Sequence, residues 1–546
     1  MDGGSGLLLT EYGFDLKNVS GSFDKNILYK YIDEHIPMLE EPRRDVIDAV
    51  ISCVCSRNVQ TILVEKKYID EDYLDTYSRY YSKAFNQKAS HCVRIHFFSE
   101  SYSESDFFSE PAITPDHYLG FCIVRPTGNQ FISRTVLAPP HPDSHDSYFL
   151  HARTEATSHI LGVPHRVNGS PFIQQDINTF ICAGAALWVV SHLMEKVGRA
   201  RRFYPAEIGE LAQKGLSHGQ LRRGLTVEQI VMATRDMGFN PHIEAYNLDK
   251  IDDEDAHNRV VARICDYIHV AVDSGIPAIL AYQLGPDDGH AVAVVGHDVV
   301  ERLQLPGSHI VSEFNGYLRN SIFVENFYVM DDAKGPYQKF PVNKSQNNPL
   351  SIEACKSISV ICPMPLEVTV EYGDVLPNLS MGSSRQWEQF FFSWKTVVEK
   401  IRESYRDQPE FQLFDDYEII EPTEENPPVL RAAILDSRDW KQSVLCGDMP
   451  NWLKERYRVM NLPKHIWAVE ISGWDNMNKG NAYERTVIGE VIFDATANPH
   501  WPNDCWISFQ ANGLMLDTTA DNSGQKKYEF VAKEPSSYAS LVRPLV

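Results

Sequence analysis

The rhythm of apolar and polar positions divides the chain into three stretches. In residues 1–150, Asn58–Val64, Val93–Phe98 and Tyr118–Val124 are short apolar runs that predict strands, whereas the polar stretch Glu65–Lys83, with its spaced aromatics, predicts a helix. In residues 151–375 the chain turns from polar Asp176 and Asn178 into a helix around Cys182. There Leu187, Val190, Leu193, Met194 and Val197 recur at helical spacing. Val260, Ile264, Ile268 and Val272 repeat the pattern in a second helix, which Ser274 and Gly275 stop before Pro277 leads into a strand over Ala278–Tyr282. The run HAVAVVGHD from His290 predicts a buried strand, and Phe327–Met330 another, ended by the turn DDAKGPY. In residues 376–546, SRQWEQFFFSWKTVVEKIRESYR predicts an amphipathic helix and Glu418–Pro428 an acidic connection. Trp467–Ile471, Gly489–Asp494, Ile507–Phe509 and Tyr528–Val531 predict strands. The alternation implies an α/β (α+β) protein with an N-terminal mixed α/β domain, a central domain and a C-terminal α+β domain.

Size and charge narrow the function classes. A chain of 546 residues exceeds one hydrophobic core. A net charge of -23 argues against non-specific nucleic-acid binding, because the protein would repel phosphates. The basic groups at Gly198–Pro205 and Arg222–Arg223 read as solvated surface. Ten cysteines show no disulfide or zinc framework, and the C-x-C of Cys53 and Cys55 has no second pair. The turn-rich PPHPDSHDS places His141 and His145 without ligand partners at motif spacing, so no metal is expected. The N-terminus has no signal-peptide pattern, and no apolar run reaches membrane-spanning length. These features predict a cytoplasmic protein with reduced thiols and no membrane partner.

Candidate chemistry concentrates in the central stretch. A helix N-terminus favours a thiolate, and Cys182 begins its helix. The small residues Ala183, Gly184, Ala185 and Ala186 let that helix lie close to a sheet. His290, at the start of its strand, is the candidate base. Asp331, at the end of another strand, is favoured over Asp332 as the acid that orients the imidazole. An oxyanion needs donors: the Cys182 N–H supplies one, and Gln175, preferred to Gln174, supplies the side-chain amide. No organic cofactor is required.

The segments QQD…CAGAALWVV, SGIPAILAYQL…GHAVAVVGHD and FYVMDDAKGPY resemble papain-like cysteine peptidases, in particular the bacterial branch akin to bacteriocin-leader-processing peptidases. The resemblance implies a papain-like core in residues 151–375, flanked by added α/β regions that could select a substrate or partner. It implies Cys182 as nucleophile, His290 as general base, Asp331 as orienting acid and Gln175 as oxyanion amide, acting on a protein or peptide. Gln175 stands seven positions before Cys182, one more than that family's usual spacing, and His290 and Asp331 lie 41 apart, so Asp298 competes as the acid. The same constellation serves a transglutaminase or glutamine deamidase, and an inactive fold would leave a binding scaffold.

Overall fold

The computed structural model describes residues 8–19, 44–85, 88–108, 117–127, 130–141, 147–176, 182–198, 201–212, 214, 224–285, 288–300, 303, 318–345, 349–372, 427–478, 485–498, 506–511, 514–520, 526–532 and 538–539. His145, Arg222, Arg223 and the amphipathic helix expected over 384–406 lie outside them. The described chain is a mixed α/β protein with several helices and three main sheets, almost wholly antiparallel.

The first sheet is ordered Phe14–Asn18, Thr61–Tyr68, Cys92–Phe98, Tyr118–Val124, Ile132–Leu137, Pro171–Phe172, each strand antiparallel to the next. The helix expected over Glu65–Lys83 is corrected here: the strand runs on to Tyr68, and the helix is confined to Glu71–Arg79. Local polarity was overridden by partners distant in sequence. Glu65 is held by Arg94 at 2.7 Å on one neighbouring strand and Lys66 by Asp15 at 2.6 Å on the other. Asp70 then starts the helix by accepting the Tyr73 N–H at 3.0 Å. The apolar run around Cys53 and Cys55, unassigned from sequence, is the helix Arg44–Ser56. A separate hairpin pairs Thr154–Ile160 with Val163–Gly169. Its two-residue turn puts both Leu161 and Gly162 at positive φ, the twist that a tight hairpin needs.

The second sheet carries the candidate chemistry. Its order is Asn240–Asn247, Ser357–Met364, Ala278–Gln283, Gly289–Val299, Asn326–Asp331, Gly335–Pro341, and Ser147–Phe149 pairs with the far end of Gly289–Val299. The helix Cys182–Gly198 packs across the strands Gly289–Val299 and Ala278–Gln283. Its spacing suggested one apolar face, yet every residue from Ala183 to Met194 is buried, so it is a core helix enclosed on all sides. The helix Glu254–Asp273, capped by Asp253, lies against this sheet and against Pro428–Asp436 of the third.

The third sheet begins with a parallel pair, Leu318–Arg319 with Pro428–Asp436. It continues antiparallel through His465–Gly473, Gly489–Asp494, Trp506–Ala511, Leu514–Ala520 and Lys526–Ala532. One buried cluster includes Phe97, Trp188, Phe327, Ile434 and Trp467, drawn from all three sheets and the cysteine helix. No helix among the described residues is long and apolar enough to cross a membrane.

Candidate active site

Burial separates the thiols before geometry does. Buried Cys53, Cys122, Cys355 and Cys362 are each pushed up to about 12 by loss of hydration, which keeps them protonated and unreactive. Cys182 is half-buried, at the first residue of its helix, where unpaired backbone N–H groups face outward. That places it where a sulfur is both reachable and next to the positive end of a helix.

His290 stands on the neighbouring strand, with its side chain 22% exposed. Its Nε2 lies 3.0 Å from Asp331 Oδ1 and 3.7 Å from Asp332 Oδ1. Strand register accounts for the first distance. Ala293 faces Met330, so extending that register sets Asp331 opposite Val292, and His290 is its diagonal neighbour on the same face. Burial alone would lower the His290 pKa. Hydrogen bonds to Asp331 and to the Cys182 side chain, with the charges of both aspartates, overcome burial and raise it to about 11. With Nε2 turned to Asp331, Nδ1 is the nitrogen left for the sulfur. Tyr282, opposite His290 across the hairpin, sets its ring edge-on at 5.8 Å and walls one side of the imidazole.

The two aspartates differ in kind. Burial pushes Asp331 up, but the hydrogen bond and charge of His290 prevail, helped by the Ala333 N–H at 3.0 Å, and hold its carboxyl below the usual range. Asp332 is raised to about 7, first by burial, against the pull of His290 and with the push of Asp331. Its buried oxygens have no well-formed hydrogen bond, only the weaker pull of the backbone N–H groups of Asp332 and Gln175. Asp298, the competitor, is engaged elsewhere: its carboxylate accepts the N–H groups of Glu325 and Asn326 at 2.9 and 2.8 Å and the Asn326 side-chain amide at 2.6 Å.

The glutamines are likewise distinct. Gln174 is buried, and its Oε1 accepts the Ile132 N–H at 3.0 Å, which commits that side chain to the first sheet. Gln175 is half-buried, and its own N–H faces the Asp332 carboxyl. Arg125, which the sequence reading passed over, holds this segment: its Nη2 donates to the carbonyls of Gln174 and Gln175 at 2.9 and 2.8 Å. An arginine directly after the apolar run Tyr118–Val124 was the available signal. Asp176 accepts the Tyr81 hydroxyl at 2.7 Å and anchors the next residue.

Two groupings among the described residues bring three metal-ligating side chains within 4.8 Å of one another: His290 with Asp331 and Asp332, and His151 with Asp273 and His297. The first is the site just described. His141, one of the two histidines in the turn-rich run, is exposed and meets Arg57 at 3.4 Å. No protein-family model and no curated protein matches this chain. The functional reading therefore rests on these side chains.

Proposed function

We propose that the chain is a cysteine peptidase that cleaves a peptide or isopeptide bond through Cys182, His290, Asp331 and Gln175, on a papain-like core. The observation that carries this reading is the His290–Asp331 pair at 3.0 Å, supported by the contribution of the Cys182 side chain to the raised His290 pKa. A ring raised to about 11 is an imidazolium at neutral pH, the partner that sustains a thiolate. The thiolate attacks the carbonyl carbon and the carbonyl electron pair moves to oxygen, where the Cys182 N–H and the Gln175 amide receive it. His290 gives its proton to the leaving amine as the C–N bond breaks, then takes a proton from the water that hydrolyses the thioester. Asp331 keeps the ring oriented throughout.

The described cysteines are all free, which agrees with a reducing, cytoplasmic setting. An acidic chain of net charge -23 suits basic or neutral protein substrates over nucleic acid. Cys182→Ala tests the reading: turnover of a cleaved substrate should vanish while the circular dichroism spectrum is kept, and undiminished cleavage would refute it. Mass analysis of the products separates the related reactions, since hydrolysis splits the chain, transamidation joins two chains, and deamidation leaves one chain slightly heavier.

A further inference from the structure

Away from the thiol, a dense set of titratable groups surrounds Asp273, the last residue of the helix Glu254–Asp273. Its Oδ1 lies 2.9 Å from His297 Nε2 and 3.3 Å from His151 Nε2. Its Oδ2 lies 2.6 Å from Arg431 Nε and 3.4 Å from His269 Nε2. All of these groups are largely or wholly buried.

His297 presents a conflict of lone pairs. Its Nδ1 sits 2.8 Å from the backbone carbonyl of Asp298, which only accepts, so Nδ1 carries the proton. A neutral ring then aims the Nε2 lone pair at a carboxylate oxygen, two acceptors 2.9 Å apart. Only a second proton or a bound cation resolves that. His151 Nε2 faces the same oxygen but makes no hydrogen bond, although buried.

We propose that His151 Nε2, His297 Nε2 and Asp273 Oδ1 bind a divalent transition metal ion of the zinc class. Both separations from Asp273 Oδ1 suit it. With metal–ligand bonds of about 2.05 Å, separations of 2.9 and 3.3 Å subtend roughly 90° and roughly 107° at the metal. The Nδ1–H bond from His297 to a carbonyl fixes the tautomer that a metal-binding imidazole needs. Arg431 and His269 occupy the Oδ2 side and leave Oδ1 to the ion. Arg431 also faces Glu470 across the strand pair, so its positive charge is shared between two carboxylates. The nitrogen and oxygen donors match zinc in preference to magnesium or calcium, which favour all-oxygen sites. The ion would clamp the segment after Ser147–Phe149, the end of a helix, the central strand and, through Arg431, the third sheet.

Zinc measured by mass spectrometry on the full-length protein after dialysis against zinc(II) tests this. The expected result is one equivalent per chain, removed by chelation with a fall in Tm that added zinc reverses. His151→Ala should lose the equivalent, whereas His290→Ala should keep it, because His290 with its two aspartates is the other grouping of ligands among the described residues. Should His151→Ala fail to fold, His290→Ala decides: one zinc equivalent kept there assigns the ion to the Asp273 grouping, and its loss overturns the proposal. Failure of the wild type to hold stoichiometric zinc, or zinc held by His151→Ala but lost in His290→Ala, would overturn the proposal.

Discussion

Asp331 and Asp332 are neighbours in the chain, and the fold gives them different environments. Asp331 lies 3.0 Å from His290 Nε2, while Asp332 acts across 3.7 Å through its charge. Asp331→Asn should lower the rate by on the order of 10³–10⁴, by analogy with the loss of a triad's orienting acid. Asp332→Asn should act through pH. Its negative charge raises His290, so removing it lowers the His290 pKa. In the proposed mechanism the imidazolium protonates the leaving amine, so the alkaline limb of kcat/KM should move to lower pH. A pH–rate profile checks this, and an unmoved limb would remove Asp332 from the account. Gln175→Ala should cost about 10²–10³ in kcat if its amide holds the oxyanion. Gln174→Ala should instead act on stability, because its amide oxygen bonds the backbone of Ile132. Thiol, imidazole and carboxylates were legible from sequence because each sits at the end of an element. Gln175 was preferred to Gln174, but the bond that commits Gln174 was not legible, since Ile132 lies 42 residues away.

At the scale of elements, the cysteine helix, the hairpin Ala278–Gln283 with Gly289–Val299, and the strand Asn326–Asp331 were all visible in the apolar rhythm. The strand Thr61–Tyr68 was misread in part because Asp15 and Arg94, which hold its charged end, are remote in sequence. The turn after Asp331 shows what close packing demands. Gly335 has a φ of +114°, and a Cβ there would collide with Ala49 of the helix Arg44–Ser56. Gly335→Ala therefore combines backbone strain with overpacking and should destabilise by about 2–3 kcal/mol, measured by urea denaturation. The same substitution should disturb Asp331, which pairs with Gly335 in the strand ladder. Wild-type stability and activity in that variant would show that the turn does not position the acid.

Over the whole molecule, the buried cluster that links three sheets explains how groups from distant stretches converge. The thiol site draws on residues 175–332, and the Asp273 cluster on residues 151–431. Local motifs could suggest the first, because its parts lie at element ends in a familiar order. They could not suggest the second, whose histidines share no spacing and meet only through tertiary packing. Cys446, which is exposed, serves as the reference thiol for the central claim.

The most direct measurement is the iodoacetamide alkylation rate of Cys182 between pH 5 and pH 9, read peptide by peptide by mass spectrometry, with Cys446 as the reference thiol. An imidazolium-paired thiolate should label much faster than Cys446 at the acid end, and His290→Ala should abolish that advantage. Labelling of Cys182 no faster than Cys446, or unchanged by His290→Ala, would contradict the account.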